Sequence, residues 1–240
     1  KIVYESVRWI DYKEVTVLSH EPVQFFKKKG WTMSKKALLQ GIYVLSDAHL
    51  TPQKTILEQM ERVLQSGVSV IQFRDKYASD EQAEFTCKAL QVLCHRYNAL
   101  FIIDDRLSLA HKIDADGLHV GEDDVSFEEA RAMLGEQKII GVSCYGDIER
   151  AKKYEALGAD YVAFGSFFPS PTKPHSKVVP LSVLEEAKKQ LKVPICAIGG
   201  INTSNIMKVS QYDIAMYSVI SAVYQDDAIE ANIKTLQALI

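Results

Sequence analysis

The sequence has few cysteines, no long apolar run and no excess of positive charge. Its four cysteines among 240 residues are scattered, with no Cys-x-x-Cys spacing, which argues against a disulfide framework or a zinc site. No apolar stretch approaches the roughly 20 residues of a membrane-spanning helix, and the amino-terminal residues lack the apolar core of a signal peptide. We therefore expect a soluble, cytoplasmic protein with no membrane partner.

The charge balance also limits the partners. With 28 Lys and Arg against 31 Asp and Glu, the formal net charge is −3, so no global positive field is present to hold nucleic acid. Any anionic ligand must therefore be bound by a local cluster of residues. We expect small-molecule substrates and no nucleic-acid partner; the sequence leaves open the oligomeric state, a homo-oligomer included.

Short apolar strands alternate with helical periodicity from residue 41 onwards. Strands are predicted at 42–45, 68–73, 100–103, 117–120, 139–142, 161–164, 195–198 and 214–219, and helices at 55–65, 81–97, 127–134, 148–157, 181–190, 205–209 and 228–239. Eight such repeats predict an α/β fold, a (β/α)₈ TIM barrel over residues 41–240. The alternative, an open doubly wound sheet, lacks its G-x-G-x-x-G fingerprint after the first strand.

Residues 1–40 differ in composition from the predicted barrel. They contain both tryptophans and a basic run at residues 27–29, and Met33 is a candidate native start. We expect an N-terminal extension. An appendage packed on the barrel exterior is favoured over a separate binding function.

Cationic and amide side chains follow the second predicted strand. Gln72, Arg74 and Lys76 occupy alternate positions, so they lie on one side of an extended segment. Two cations and an amide facing one way suit a diphosphate and the polar group beside it. The alternative is that Arg74 forms a structural bridge with Asp75 or Asp80.

Carboxylates follow the third and fourth predicted strands. Asp104 and Asp105 follow strand 3, and His119 and Asp124 accompany the end of strand 4. Acidic clusters on neighbouring strands of a barrel converge at one mouth. They are suited to Mg²⁺, which takes one or two carboxylates and uses substrate phosphates as further ligands. The alternatives are capping or solvated carboxylates and a hydrogen-bonded core histidine.

Ser143 and Cys144 directly follow the fifth predicted strand. Cys144 has no evident base to activate it, so covalent catalysis through this thiol is disfavoured. Ser143 is a candidate polar contact at the barrel mouth.

A stiff loop follows strand 6. Three prolines between residues 169 and 174 exclude a helix or a central strand. Ser170, Thr172 and Lys173 supply donors and one positive charge, which suit phosphate oxygens. The competing interpretation is an exposed turn with a solvated lysine.

The loops after strands 7 and 8 form a second candidate anion site. Gly200 follows strand 7, while Ile220 and Ser221 follow strand 8. Barrels commonly bind a phosphate through backbone amides of these two loops, and glycine permits close approach of the backbone. A monophosphate is the expected ligand.

The assembled residues resemble the thiamine phosphate synthase family from about residue 41 to the end. The resemblance rests on 71–76 (IQFRDK), 102–106 (IIDDR), 116–121 (DGLHVG), 140–143 (IGVS), 158–165 (GADYVAFG), 169–173 (PSPTK) and 197–201 (AIGGI). It implies the joining of hydroxymethylpyrimidine diphosphate to thiazole phosphate with Mg²⁺, through a dissociative substitution that releases diphosphate.

The resemblance also implies particular residue roles. Arg74, Lys76, Ser143 and Lys173 would hold the diphosphate, with Asp104 beside it; Asp105 and Asp124 would carry Mg²⁺; Gln72 and His119 would contact the pyrimidine; Ser170, Thr172, Gly200, Ile220 and Ser221 would hold the thiazole phosphate.

Three positions depart from the family pattern. Asp104 replaces a usual asparagine, Glu122 replaces a usual glutamine, and Asp213 lies about two residues farther from Ser221 than usual. Two other hypotheses follow. One is a thiazole tautomerase-like paralogue. That class has a histidine at the position of Tyr145, so the tyrosine argues against this hypothesis. The other is a non-catalytic protein that binds thiazole phosphate.

Overall fold

The computed structural model describes residues 34–170 and 176–240; of the predicted extension at residues 1–40, residues 1–33 lie outside these ranges. The strands are β1 (Gly41–Leu45), β2 (Val70–Phe73), β3 (Leu100–Asp104), β4 (Gly117–Val120), β5 (Ile139–Tyr145), β6 (Tyr161–Phe164), β7 (Ile195–Ala197) and β8 (Met216–Val219). The helices are α1 (Ile56–Gln65), α2 (Asp80–Arg96), α3 (Leu107–Lys112), α4 (Phe127–Leu134), α5 (Ile148–Ala156), α6 (Ser182–Gln190), α7 (Ile206–Ser210), α8 (Ser221–Tyr224) and α9 (Ile229–Gln237). Short 3₁₀ helices lie at Lys35–Leu38 and Gln225–Asp227.

The strands form a closed parallel barrel in chain order. Each strand pairs with the next, and β8 pairs with β1, where Tyr43 lies opposite Ser218. The closure confirms the predicted (β/α)₈ fold and excludes the open sheet. No helix in the described ranges has the length and hydropathy of a membrane span.

The strand predictions need small corrections at their ends. β2 and β8 each begin two residues later than predicted, at Val70 and Met216, and β7 ends one residue earlier, at Ala197. β5 extends three residues farther than predicted, to Tyr145, so Ser143 and Cys144 lie within the strand. The sequence missed α3 and α8, which have six and four residues. Segments this short carry few periodic positions, although the five-residue α7 was predicted, at residues 205–209.

Side-chain alternation divides each strand between two environments. Ile42 and Val44 of β1, like Tyr217 and Val219 of β8, belong to the buried core between the sheet and the helices. Tyr43 and Ser218 occupy the opposite parity and line a cavity within the barrel. The inward set is therefore the one that reaches a ligand.

Two buried aspartates secure the amino-terminal end of the barrel. Asp116 accepts hydrogen bonds from Lys35 Nζ at 2.7 Å and from the Phe101 amide at 3.1 Å, and it contacts His95 Nε2 at 2.8 Å. Burial by itself would raise the pKa of Asp116, but the hydrogen bond and charge of His95, together with Lys35, lower it overall. The carboxylate is therefore held in its charged form.

Asp160 is bound in the same manner before β6. Its Oδ2 accepts from the Ile140 amide and from Arg131, each at 2.8 Å, while Oδ1 lies 2.8 Å from Lys36 Nζ. Each aspartate thus joins the strand it precedes to an earlier strand and to the Lys35–Leu38 helix.

We expect Asp160→Asn to destabilise the fold by about 3 kcal/mol, because it leaves the largely buried guanidinium of Arg131 facing a neutral amide. Urea unfolding followed by circular dichroism measures this change. Asp213→Asn is the matched control, since Asp213 also precedes a strand but its side chain is 96% exposed; it should change stability by less than about 0.5 kcal/mol. Equal effects of the two variants would contradict this account.

Candidate functional site

A cavity of about 890 Å³ opens at the carboxyl ends of the strands. Twelve of the predicted site residues line it: Gln72, Arg74, Lys76, Asp104, Asp105, His119, Asp124, Ser143, Ser170, Gly200, Ile220 and Ser221. The other two, Thr172 and Lys173, lie outside the described residues. The topology thus brings residues from seven strand-end loops to one space.

The cavity floor carries a chain of hydrogen bonds across the barrel. Gln72 Nε2 donates to the Tyr43 hydroxyl, which lies 2.9 Å from the Tyr161 hydroxyl. His119 continues the chain, with Nδ1 2.9 Å from the Tyr161 hydroxyl and Nε2 2.9 Å from Ser143 Oγ. The His119 and Tyr161 rings are also stacked, 5.5 Å between centroids. These contacts fix the orientation of the polar groups on the floor.

The two tyrosines were missed by the sequence analysis, which assigned them to strands without roles. Burial raises the pKa of Tyr43 and of Tyr161 well above the ordinary value, so both remain neutral hydrogen-bonding groups. Their inward parity, shared with Gln72 and His119, was the signal available in the sequence.

Gly141 makes room for the Tyr161 ring. A Cβ atom at Gly141 would lie 2.0 Å from Tyr161 Cζ, closer than any real contact. The glycine in the IGVS stretch therefore allows the ring to cross the barrel and reach His119.

Cations and carboxylates face each other on the β1 to β3 side of the cavity. Arg74 Nη1 lies 3.5 Å from Asp47 Oδ2, and Arg74 Nε lies 3.7 Å from Asp104 Oδ2. Lys76 Nζ lies 3.5 Å from Asp104 Oδ2 and also pairs with Asp105. The side chains of Arg74 and Asp104 are each 12% exposed, so their charges are only weakly screened by solvent.

The predicted alternative partners of Arg74 bind other groups. Asp80 accepts from Arg106 Nη1 at 2.9 Å, and Asp75 Oδ1 accepts from the Tyr77 and Ala78 amides. Arg74 is therefore held by Asp47 and Asp104 instead, and it remains at the cavity wall.

Two further carboxylates line the cavity at its β3 and β4 loops. Asp105 has left-handed backbone, with φ of 62°, directly after β3. Asp124 Oδ2 accepts from the Gly121 amide at 2.6 Å, which closes the turn after β4. Among the described residues no group of three or more His, Cys, Asp and Glu side chains is arranged to hold a metal ion.

The loops after β6 and β7 pack directly on each other. The Phe167 amide donates to the Ile198 carbonyl at 3.1 Å, and the Phe168 amide donates to the Gly199 carbonyl at 3.0 Å. Gly200 has φ of 62°, and a Cβ there would lie 2.4 Å from the Pro169 carbonyl oxygen. Asn205 Nδ2 donates to the Gly200 carbonyl at 2.9 Å. Ser170 and Gly200 are thus fixed on neighbouring loops.

A turn at Asp213 precedes β8 and the loop that follows it. Asp213 adopts φ of 49° in a turn in which its amide donates to the Ser210 carbonyl. β8 then pairs with both β7 and β1, and Ser221 begins α8 directly after Ile220. Ile220 and Ser221 therefore follow a strand that is paired on both sides.

Cys144 is no nucleophile in this arrangement. It is buried on the outward side of β5, and burial raises the pKa of its thiol to about 12. The thiol therefore stays protonated at neutral pH. This agrees with the sequence analysis, which disfavoured covalent catalysis by Cys144 because no partner base was evident.

With this geometry in place, the family can be assigned. The family model of thiamine monophosphate synthase matches residues 42–223, from the second residue of β1 to beyond the end of β8. The chain belongs to this family. The thiamine-phosphate synthase of Alcanivorax borkumensis is 40% identical over 203 residues, or 83% of this chain and 94% of the relative. That of Nitrosococcus oceani is 42% identical over 193 residues, 80% of this chain and 89% of the relative.

A solved member of the thiamine monophosphate synthase family has the same fold. The structure of thiamine phosphate pyrophosphorylase from Pyrococcus furiosus matches with a TM-score of 0.75 and 32% identity, over 85% of this chain and 96% of that one. The family resemblance seen in the sequence motifs is therefore confirmed.

Proposed function

We propose that the protein is a thiamine phosphate synthase, which joins 4-amino-2-methyl-5-hydroxymethylpyrimidine diphosphate to thiazole phosphate and releases diphosphate. The observation that carries the proposal is one cavity lined by Arg74 and Lys76 on one side and by the Ser170 and Gly200 loops on the other. Two anionic substrates need two such regions, with the reacting carbon and nitrogen between them.

The diphosphate is assigned to the β2 and β3 side. Arg74 presents a planar fork of donors suited to paired phosphate oxygens, and Lys76 supplies a point charge. In the described structure both cations contact carboxylates, Asp104 among them. Binding of the diphosphate would exchange these partners for phosphate oxygens. Ser143 and Lys173 complete the proposed set.

Mg²⁺ fits the donors beside these cations. Asp105 and Asp124 line the same cavity and supply hard carboxylate oxygens, the ligand type that Mg²⁺ prefers together with water and substrate phosphates. When bound, the ion would neutralise charge on the leaving diphosphate. Asp104 adds a third carboxylate, which the contacts with Arg74 and Lys76 balance.

The pyrimidine ring is assigned to the cavity floor and the thiazole phosphate to the β6 to β8 loops. Gln72 and His119 already have fixed orientations through the two tyrosines, so they would place the ring without reorganisation. Ser170, Thr172 and the backbone at Gly200, Ile220 and Ser221 would hold the monophosphate.

In the proposed reaction the bond from the pyrimidine methylene carbon to the diphosphate oxygen breaks first. The pair of electrons leaves with the diphosphate, and the resulting pyrimidine cation is captured by the lone pair of the thiazole nitrogen. Arg74 and Lys76 act by stabilising the charge that grows on the leaving oxygen. No proton is removed from the attacking nitrogen, so no general base is needed.

The tautomerase-like alternative is not favoured. Its proton transfer needs a histidine after strand 5, where this chain has Tyr145. Tyr145 is 42% exposed, and its hydroxyl accepts from the Glu122 amide at 3.2 Å.

The proposal predicts thiamine phosphate when the purified protein is given both substrates with Mg²⁺, and none when either substrate is omitted. EDTA should abolish product formation, and added Mg²⁺ should restore it. Chromatography of the product mixture measures the outcome. Binding of thiazole phosphate without any turnover would instead favour the non-catalytic binding protein.

A further inference from the structure

Ser218 carries an orphaned hydroxyl at the cavity. The residue is 3% exposed, and of the buried side-chain nitrogen and oxygen atoms in ranges 34–170 and 176–240 its Oγ is the one without a hydrogen-bond partner. Most buried hydroxyls in proteins have such a partner, and a group that lacks one calls for a specific explanation. An alanine at this position would avoid the cost of burying the hydroxyl.

Ser218 lies on the side of β8 that lines the cavity. Its neighbour Tyr217 belongs to the core shared with the helices and does not line the cavity, whereas Ser218 does. It lies opposite Tyr43 in the β1 to β8 register. The Tyr43 hydroxyl is already engaged by Gln72 and Tyr161.

The hydrogen-bonding groups of the two substrate rings indicate which ring the Ser218 hydroxyl binds. A hydroxyl both donates and accepts, and the aminopyrimidine offers ring-nitrogen acceptors beside an amino donor. The thiazole nitrogen must keep its lone pair available for attack, so a donor aimed at that nitrogen would oppose the reaction. The thiazole sulfur is at best a weak acceptor. The pyrimidine is therefore the ring that satisfies this hydroxyl productively.

We propose that Ser218 is a further pyrimidine-contact residue, which binds the ring on the β8 side of the floor while Gln72 and His119 hold it from β2 and β4. The inference rests on the proposed function and names a contact that the family motifs did not assign. The same floor then presents polar groups to the ring from opposite walls of the barrel.

Steady-state kinetics of Ser218→Ala test the inference. The KM for the pyrimidine diphosphate should rise about 3- to 12-fold, within the range expected for one hydrogen bond, and the KM for thiazole phosphate should stay within about twofold of wild type. The melting temperature should be unchanged or higher, because a methyl group replaces an unsatisfied hydroxyl.

Ser69→Ala is the control at the other end of the barrel. Ser69 Oγ donates to the Leu38 carbonyl at 2.9 Å, so this variant should lower the melting temperature and leave both KM values unchanged. An unchanged pyrimidine KM in Ser218→Ala would overturn the inference and assign the hydroxyl to a bound water only. An equal rise in both KM values would also overturn it. If the wild-type protein forms no thiamine phosphate, the proposed function itself fails.

Discussion

Arg74→Met is expected to lower kcat/KM by about 10²- to 10³-fold, the range for removing one preorganised group that stabilises transition-state charge. The Arg74 side chain is 12% exposed, and its guanidinium lies near Asp47 and Asp104, so its charge acts in a partly dehydrated site. Methionine keeps much of the side-chain volume but removes the charge. Steady-state turnover with saturating thiazole phosphate measures the loss.

Two companion variants separate charge from geometry. Arg74→Lys should recover part of the activity, because the charge remains while the planar fork is lost. Lys88→Met on α2 should turn over like wild type, since Lys88 pairs with Glu84 on an exposed helix face. Normal turnover by Arg74→Met would show that Arg74 serves only as a structural partner of the acids.

Asp105→Asn is expected to raise the Mg²⁺ concentration needed for half-maximal activity by at least about 100-fold. Loss of groups that merely support a metal ligand costs about 10- to 100-fold in affinity, and Asp105 is proposed as a ligand itself. Magnesium titrations of turnover measure the shift, and thermal unfolding shows whether the variant is folded.

The control for Asp105 is an aspartate with the same backbone conformation. Asp114 has φ of 55°, against 62° for Asp105, and its side chain is 87% exposed beside Lys138. Asparagine tolerates this left-handed backbone, so Asp114→Asn should leave the magnesium requirement unchanged. A wild-type magnesium response from Asp105→Asn would remove Asp105 from the metal site.

The barrel and the location of its site could be predicted because both depend on local patterns. Apolar runs alternating with helical periodicity marked eight strands, and the carboxyl ends of parallel strands converge. Arg74, Asp105 and Gly200 could therefore be assigned to one mouth although they lie far apart in the chain. Helices α3 and α8 were not predicted, because one or two turns give only a weak periodic signal; the five-residue α7 was predicted despite its length.

The pairings within the site could not be predicted, because they depend on three-dimensional proximity. Asp47 lies in a loop after β1, and no spacing rule connects it to Arg74. In the sequence, Tyr43 and Tyr161 are indistinguishable from ordinary strand residues. Their role becomes visible only in the closed barrel, where the two hydroxyl oxygens lie 2.9 Å apart. Gly141 acquires its role only from the ring packed against it.

Phosphorus-31 NMR of a complete reaction tests the central claim most directly. We predict that the signals of the pyrimidine diphosphate are replaced by the signal of free inorganic diphosphate. The phosphate monoester stays intact, so the signal of thiazole phosphate is replaced by that of thiamine phosphate. That result would mean substitution at carbon with diphosphate leaving intact. Release of inorganic monophosphate during the reaction, or an unchanged spectrum in the presence of Mg²⁺, would contradict the proposed substitution.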